Sequence, residues 1–321
     1  MRIGILGAGG MGGVHARHYN NIAGVELQIF DIDPDKCAAF AQNNRATAAP
    51  SAEALIESCD AVDVCLPTHL HLPFGMKAIE ARKALFMEKP LALNHEEART
   101  LVEAADKANV PFMVGQVVRY FPEFKVARAR VIAGEIGTPA AARTRRGGLP
   151  PRTDWFANAD QSGGILLDLA VHDFDWLRWT LGEVTHVYAK SLGINQNRWP
   201  DYALTTLTFE CGAVAHVEST WADPGGGRVT FEVCGSKGMI EHDSRKTQIV
   251  RTAVTGQSVA MESPYAPADD PYFNQMSAFV SAVQNGSEVP VPGIEGFKSL
   301  SIALAAIESA KHNRIVQPVA L

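Results

Sequence analysis

Residues 1–20 read MRIGILGAGGMGGVHARHYN, and the fold is decided there. Arg2–Leu6 is a short apolar run that reads as a strand buried on both faces. It breaks directly into Gly7-Ala8-Gly9-Gly10-Met11-Gly12, a G-x-G-x-x-G turn, and Met11–Ile22 continues with helical spacing. In such a unit the first glycine allows the tight turn and the second lets the backbone approach a pyrophosphate. The third lets the helix pack closely on its strand. The helix then presents unbonded N–H groups and its positive dipole end to the phosphates. Glycine-rich turns are common, and it is the position between a strand and a helix that gives this one meaning. Gly7, Gly9, Gly10, Met11 and Gly12 are therefore expected to bind a dinucleotide.

Moving outward, the fingerprint needs an acid at the end of the second strand, about 20 residues on. Asp31 lies 19 residues after Gly12 and closes the run Val25–Asp31. Its carboxylate can accept from the adenosine ribose hydroxyls and repel a 2′-phosphate, which favours NAD over NADP. The plainer alternative is that Asp31 only starts the turn towards Pro34. Further runs at Ala61–Leu66, Ala84–Glu88 and Phe112–Val114 alternate with helical stretches at Pro34–Gln42, Ala52–Glu57, Leu70–Ala81 and His95–Ala108. Alternation of this kind predicts a doubly wound parallel sheet of Rossmann type with right-handed crossovers. It is assigned to a dinucleotide-binding domain over residues 1–120.

The rhythm then changes. Glu123–Ala133 reads as a helix, Ala140–Arg146 as a strand, Gly147–Gln161 as a long polar loop and Ile165–Leu181 as one helix. From Glu183 to Arg251 the alternation has a period of two, with a hairpin signal at Cys211-Gly212. Thr255–Asp270 reads as a mobile loop, and the helices Pro271–Val283 and Gly293–His312 close the chain. Residues 121–321 are thus expected to form an α+β domain with an open, mostly antiparallel sheet, giving an α/β protein overall. That domain should bind the substrate and make the oligomer contact.

Composition narrows the class. The chain has 321 residues, 46% hydrophobic and 20% charged, and a net charge of −6. That length favours two domains. The densest basic cluster is Arg143, Arg145 and Arg146, too small for a nucleic-acid footprint. Five cysteines without a Cys-x-x-Cys pair argue against a disulfide framework or a zinc site and for a reducing compartment. No apolar run approaches the 18 residues of a membrane span. A cytoplasmic protein without nucleic-acid or membrane partners and without a metal is expected.

Two further motifs carry chemistry. Glu88-Lys89-Pro90 closes the fifth strand, and ligands of open parallel sheets lie beyond the carboxyl ends of the strands. Lys89 is therefore placed where a nicotinamide and its substrate would meet, although a lysine at a strand end is ordinarily a solvated surface charge. Asp168 and His172 are four apart on an expected helix and so share a face. A carboxylate beside an imidazole raises its basicity and orients it, as a general base needs. By spacing alone an ordinary surface pair is the better reading.

Taken together, Gly7–Gly12, Glu88-Lys89-Pro90 and Gly163-Gly164-Ile165-Leu166-Leu167-Asp168-Leu169-Ala170-Val171-His172 resemble the Gfo/Idh/MocA family of sugar and polyol oxidoreductases. The resemblance covers most of the chain. Pro67-Thr68-His69-Leu70-His71 is similar to the family's loop after strand four, and Gly115-Gln116-Val117-Val118-Arg119-Tyr120 to its domain junction. Phe279–Val283 and Ala305–Ala310 are similar to its closing helices. It implies an NAD-dependent dehydrogenase or reductase acting on a sugar, inositol or related polyol. Lys89, Asp168 and His172 would be catalytic: Lys89 bonds the reacting hydroxyl, His172 removes its proton, and Asp168 orients or assists. Leu66, Thr68, His71, Glu88 and Lys89 would lie at the cofactor, and Lys89, Asp168 and His172 at the substrate; Trp155, read from the loop Gly147–Gln161 itself, could stack on a sugar face, although an anchor for a solvated loop is the plainer reading. A homodimer or homotetramer is expected. The junction departs from the family's frequent Gly-Phe-Asn-Arg-Arg-Phe, which leaves Gln116 and Arg119 without an assigned role. Other readings are an NAD-using glycosidase of the same fold and a non-catalytic dinucleotide sensor.

Overall fold

The computed structural model describes residues 1–149, 153–193, 201–223, 225, 227–246, 250–257, 259–262 and 269–321. They form two compact units: Met1–Val117 with Asp270–Phe297 and Leu321, and Val118–Asp269 with Lys298–Ala320.

In the first unit, six strands make one parallel sheet: β1 (Arg2–Leu6), β2 (Glu26–Phe30), β3 (Ala46–Ala48), β4 (Ala61–Val64), β5 (Ala84–Met87) and β6 (Phe112–Val114). Their order is β3-β2-β1-β4-β5-β6. The crossovers are α1 (Gly10–Tyr19), α2 (Pro34–Asn43), α3 (Ala52–Ser58), α4 (His71–Glu80) and α5 (His95–Ala108). The expected doubly wound sheet is present, and the strand order reverses at β1 and β4, where such sheets bind ligands. β4 and β5 are buried at every position, because helices cover both faces. Edge strand β3 has no counterpart in the sequence reading: three small residues, two of them exposed, give no periodic signal.

Local signals explain the helix ends. Asp33 caps α2, its side chain accepting from Asp35 N and Lys36 N, with Pro34 in the first turn. Asn94 caps α5 in the same way through Glu97 N, and the left-handed Asn109 closes it. By contrast α1 has Gly9 at its cap and no side chain bonded to its first N–H groups.

The second unit holds α6 (Pro122–Ile132), β7 (Pro139–Gly147), α7 (Asp154–Ala157), α8 (Ala159–Ser162), α9 (Gly164–Asp168) and α10 (Val171–Leu181). Strands β8 (Val184–Leu192), β9 (Tyr202–Phe209), β10 (Val214–Thr220), β11 (Arg228–Gly235), β12 (Gly238–Asp243), β13 (Val250–Val254) and β14 (Ala260–Glu262) join β7 in one sheet. Its order is β14-β13-β12-β11-β7-β10-β9-β8, antiparallel except for the parallel pair β7 and β10. β9 and β10 alternate buried and more exposed positions, so one face packs on helices and the other is open. Phe124, Trp176 and Phe231 meet at ring separations of 4.8–5.0 Å and centre its core.

Three expectations need correction. The loop Gly147–Gln161 contains α7 and α8, since Asn158 caps a turn through Asp160 N. The segment Thr255–Asp270 is not all loop, because β14 lies in it and pairs with β13; residues 258 and 263–268 lie outside the described ones. And residues 121–321 are not one continuous domain. Helix α11 (Pro271–Asn285) belongs to the first unit, where Phe279 meets Phe86 edge-on at 5.4 Å. Helix α12 (Gly293–His312) begins there too, after Val291 O accepts from Val114 N at 2.9 Å. Helical periodicity says that a face is apolar, not which sheet it will cover.

Candidate active site

In the first unit the glycine-rich turn follows β1 and opens α1. Gly7 has φ 106°, and a Cβ there would lie 2.6 Å from Cys65 O, so the turn after β1 and the loop after β4 are in backbone contact. At Gly12 a Cβ would lie 2.1 Å from Gly7 O, which only glycine avoids. At Gly9 and Gly10 an added Cβ would meet nothing within 4 Å, and both are exposed. The tight positions and the open ones are thus those a pyrophosphate cradle requires. With α1 uncapped, the residues present fit a dinucleotide.

Asp31 lies just past β2. Its Oδ2 accepts from Ala8 N at 2.8 Å and its Oδ1 from Asp33 N at 2.9 Å. The carboxylate therefore braces the turn itself, and each oxygen keeps a further lone pair for a ribose hydroxyl. The plainer alternative is seen, since Asp31 orders the turn towards Pro34, and the remaining lone pairs leave the expected ribose contact open to it. Asp31→Ala should weaken NAD binding about 10- to 100-fold, the range of a lost charge-assisted bond. It should also narrow the preference for NAD over NADP. Titration of cofactor fluorescence with both nucleotides measures this, and an unchanged NAD affinity would remove Asp31 from the site.

His71, in the first turn of α4, lies between the loop after β4 and the turn after β5. Its Nε2 is 3.0 Å from Leu66 O and its Nδ1 3.3 Å from Leu91 O. Burial lowers its pKa, so the ring is neutral and its single N–H can serve only one of the two carbonyls. Thr68 is buried in the 3-10 turn Thr68–Leu70, and Leu66 is half-buried. Glu88 is buried, and its Oε2 accepts from Lys89 N at 3.2 Å. Lys89 is half-buried beyond the carboxyl end of β5 and joined to Pro90 by a cis peptide.

In the second unit Asp168 is buried at the end of α9, and His172 is half-buried in the first turn of α10. The expected single helix Ile165–Leu181 is broken between them. Ile165 O accepts from both Leu169 N and Ala170 N, the second an i→i−5 bond that widens the turn. The four-residue spacing therefore does not place the pair on one regular helix face. The following Asp173 is fully buried and accepts from Arg146 Nε at 2.7 Å and from its terminal nitrogen at 3.2 Å, pinning α10 to β7. Trp155 packs on Phe156 at 5.2 Å, and Phe156 on Trp221 at 5.8 Å.

Arg119 has a structural place: its Nε and terminal nitrogen each lie 2.7 Å from Asp175. Sequence reasoning missed His15 and Asp63, which pair at 2.8 Å and are fully buried. The signal was available, because Asp63 interrupts an apolar strand of a two-faced sheet, where a carboxylate must have a partner.

Beyond the geometry, the class is an oxidoreductase with an NAD-binding Rossmann domain: residues 1–116 match the oxidoreductase family of that description, and residues 124–241 match the GFO/IDH/MocA C-terminal domain. The chain is 31% identical to a myo-inositol 2-dehydrogenase of Thermotoga maritima, over 99% of this chain and 98% of that one. It therefore belongs to the GFO/IDH/MocA family. A probable dehydrogenase from Thermotoga maritima has a similar structure, with a TM-score of 0.87 at 29% identity, covering 99% of this chain and 98% of the other. GenD2 from gentamicin A biosynthesis, solved in complex with NAD, has a TM-score of 0.90 at 26% identity over 100% and 97%. Among the described residues no helix is long and apolar enough to cross a membrane.

Proposed function

We propose that the protein is an NAD-dependent dehydrogenase or reductase of a cyclic polyol or sugar, with an inositol as the first class to try. The observation that carries the substrate class is the end-to-end likeness to a myo-inositol 2-dehydrogenase. Bound NAD supplies the acceptor for the hydride that leaves the substrate carbon. Lys89 donates a hydrogen bond to the reacting hydroxyl and stabilises the alkoxide character that develops there. His172 takes the hydroxyl proton, and Asp168 orients it. The ion pair of half-buried Arg146 with buried Asp173 holds the helix turn that carries His172. Trp155 offers an aromatic face to a sugar ring. The open face of the second sheet suits association into a homodimer or homotetramer in the cytoplasm.

The test is the appearance of reduced-nicotinamide absorbance when the protein meets NAD and a panel of inositols, aldoses and alditols. Turnover with any of them supports the reading; silence in protein that binds NADH overturns it. With an active substrate, His172→Ala should lower kcat by about 10²- to 10⁴-fold, the usual contribution of a general base. The wild-type rate should fall in acid as imidazole takes up a proton, and an unchanged rate and pH profile in the variant would exclude His172.

A further inference from the structure

Beneath the glycine-rich turn lies a buried cluster of ionisable groups for which the chemistry above has no use. His15, on α1 three residues beyond Gly12, is fully buried, as is Asp63 in the middle of β4. Nδ1 of His15 is hydrogen-bonded to Asp63 Oδ2 at 2.8 Å, and Nε2 is 3.2 Å from Glu88 Oε1, an ion-pair distance at which the N–H is not aligned for a hydrogen bond. Cys65 Sγ is 3.3 Å from both His15 Nδ1 and Asp63 Oδ1. Tyr19 and Phe86 pack edge-on against the imidazole at 6.4 and 5.4 Å.

Nδ1 is hydrogen-bonded to Asp63, whereas Nε2 lies at ion-pair distance from Glu88 without the alignment of a hydrogen bond, so a protonated ring is held towards Glu88 by charge. Burial lowers the pKa of His15, but the Asp63 carboxylate hydrogen-bonded at Nδ1 raises it, and the net direction is well above its ordinary value. Burial pushes the Cys65 thiol up, so it keeps its proton. His18, on the same helix, faces Asp270 and Tyr272 of α11. His71 is the contrast: it lies between two carbonyls and is neutral. His15, Asp63 and Cys65 have the donor types of a metal site, but tetrahedral ligand atoms about 2 Å from an ion stand about 3.3 Å apart. The 2.8 Å contact is instead that of a hydrogen bond.

The far end of this cluster is the turn that carries Lys89. Glu88 faces His15 through Oε1 and accepts from Lys89 N through Oε2. A Cβ at Gly115 would lie 2.7 Å from Glu88 Oε1, so the carboxylate has a fitted slot. We propose that His15 is a positioning residue: its ring bridges Asp63 to Glu88 and so holds the Glu88–Lys89 turn in register with the helix that starts at the dinucleotide turn. The reaction served is the one proposed above, and the inference rests on that reading for its effect on turnover.

Two isosteric variants separate the bonds. In His15→Gln the amide nitrogen falls near the position of Nε2 and keeps a polar N–H facing Glu88. In His15→Asn it falls near Nδ1 and keeps only the donor to Asp63. The expected result is a kcat at least tenfold lower in His15→Asn, with NADH affinity within about twofold of wild type, and a kcat within about threefold of wild type in His15→Gln. Equal losses of turnover in both variants, tracking equal losses of stability, would reduce His15 to a packing role. Nitrogen-15 NMR of histidine-labelled wild-type protein should show one resonance pair, absent from His15→Gln, with both ring nitrogens protonated at pH 8. A neutral His15 overturns the bridge even if neither variant folds. If no polyol is turned over, the acetylation rate of Lys89 by acetic anhydride, read by peptide mass spectrometry, replaces kcat. It should change in His15→Asn and not in His15→Gln, and equal rates sink the positioning role independently of the substrate assignment.

Discussion

Lys89→Ala is expected to leave NADH binding near wild type and to lower kcat by about 10³-fold, the scale on which a donor aimed at developing oxyanion charge is felt. An ordinary surface lysine would give a change within about 0.5 kcal/mol, less than threefold in rate. The two outcomes differ by more than two orders of magnitude, so one kinetic measurement decides between them. The same strand supplies the control. Lys83 lies just before the amino end of β5, where its Nζ donates to Glu57 O at 2.9 Å, while Lys89 lies beyond the carboxyl end. Ligands of open parallel sheets gather at carboxyl ends, so Lys83→Ala should leave turnover unchanged. Retained turnover in Lys89→Ala, or equal losses in both variants, would end the catalytic assignment of Lys89. Lys89→Arg should rescue only part of the rate, because a planar guanidinium does not place its protons where an ammonium does.

The largest effect on stability is expected from Arg119→Ala. Asp175 is fully buried, and it is held by two bonds from Arg119 at 2.7 Å and one from Ser299 Oγ at 2.7 Å. The Arg119 guanidinium also lies over the Trp179 ring at 5.1 Å, with Arg128 at 3.9 Å from the same ring. Removing the arginine leaves a buried carboxylate with a single neutral donor, and breaking a buried pair in this way costs about 3–5 kcal/mol. At about 2–4 °C per kcal/mol for a unit of this size, the second unit should unfold about 6–20 °C below wild type in a thermal melt. Arg119→Met with Asp175→Leu should recover much of the loss, since it removes the uncompensated charge. A Tm within 2 °C or so of wild type for Arg119→Ala would show that water or another group reaches Asp175. The result also bears on function: Arg119 follows Gln116 at the junction, and a pure stability effect with kcat intact would place it outside the chemistry.

How much of this could be read in advance depends on the range of the interaction concerned. Residues 1–31 hold a strand, a glycine turn, a helix and an acid whose mutual distances are local, and the dinucleotide half of the site follows from them. Gly7 and Gly12 can be identified because each answers to a contact within its own βα unit or the adjacent strand. The same holds for caps such as Asp33 and Asn94. Asp31 was legible as an acid at the right place. Its bond to Asp33 N is local and belongs to the turn already expected, but its bond to Ala8 N was not legible, because it depends on how the second strand sits against the first turn.

Tertiary structure decided what pattern cannot carry. An i,i+4 spacing placed Asp168 and His172 on one helix face, but the chain widens at Ala170, because a turn can trade one backbone bond for another at little cost in local propensity. Helix α11 has the periodicity of any amphipathic helix, and only packing against Phe86 and α1 shows that it completes the first unit. His15, Asp63 and Glu88 lie far apart in sequence and meet because β4 and β5 are neighbours under α1. The sequence by itself determined the family of fold, the cofactor class and the residue types at the strand ends, since these rest on short-range geometry that a few glycines and charges encode. The partners of the buried charges were decided only in three dimensions, because a charge removed from water must find its counter-charge wherever the sheet order brings one, and that order is a property of the whole chain.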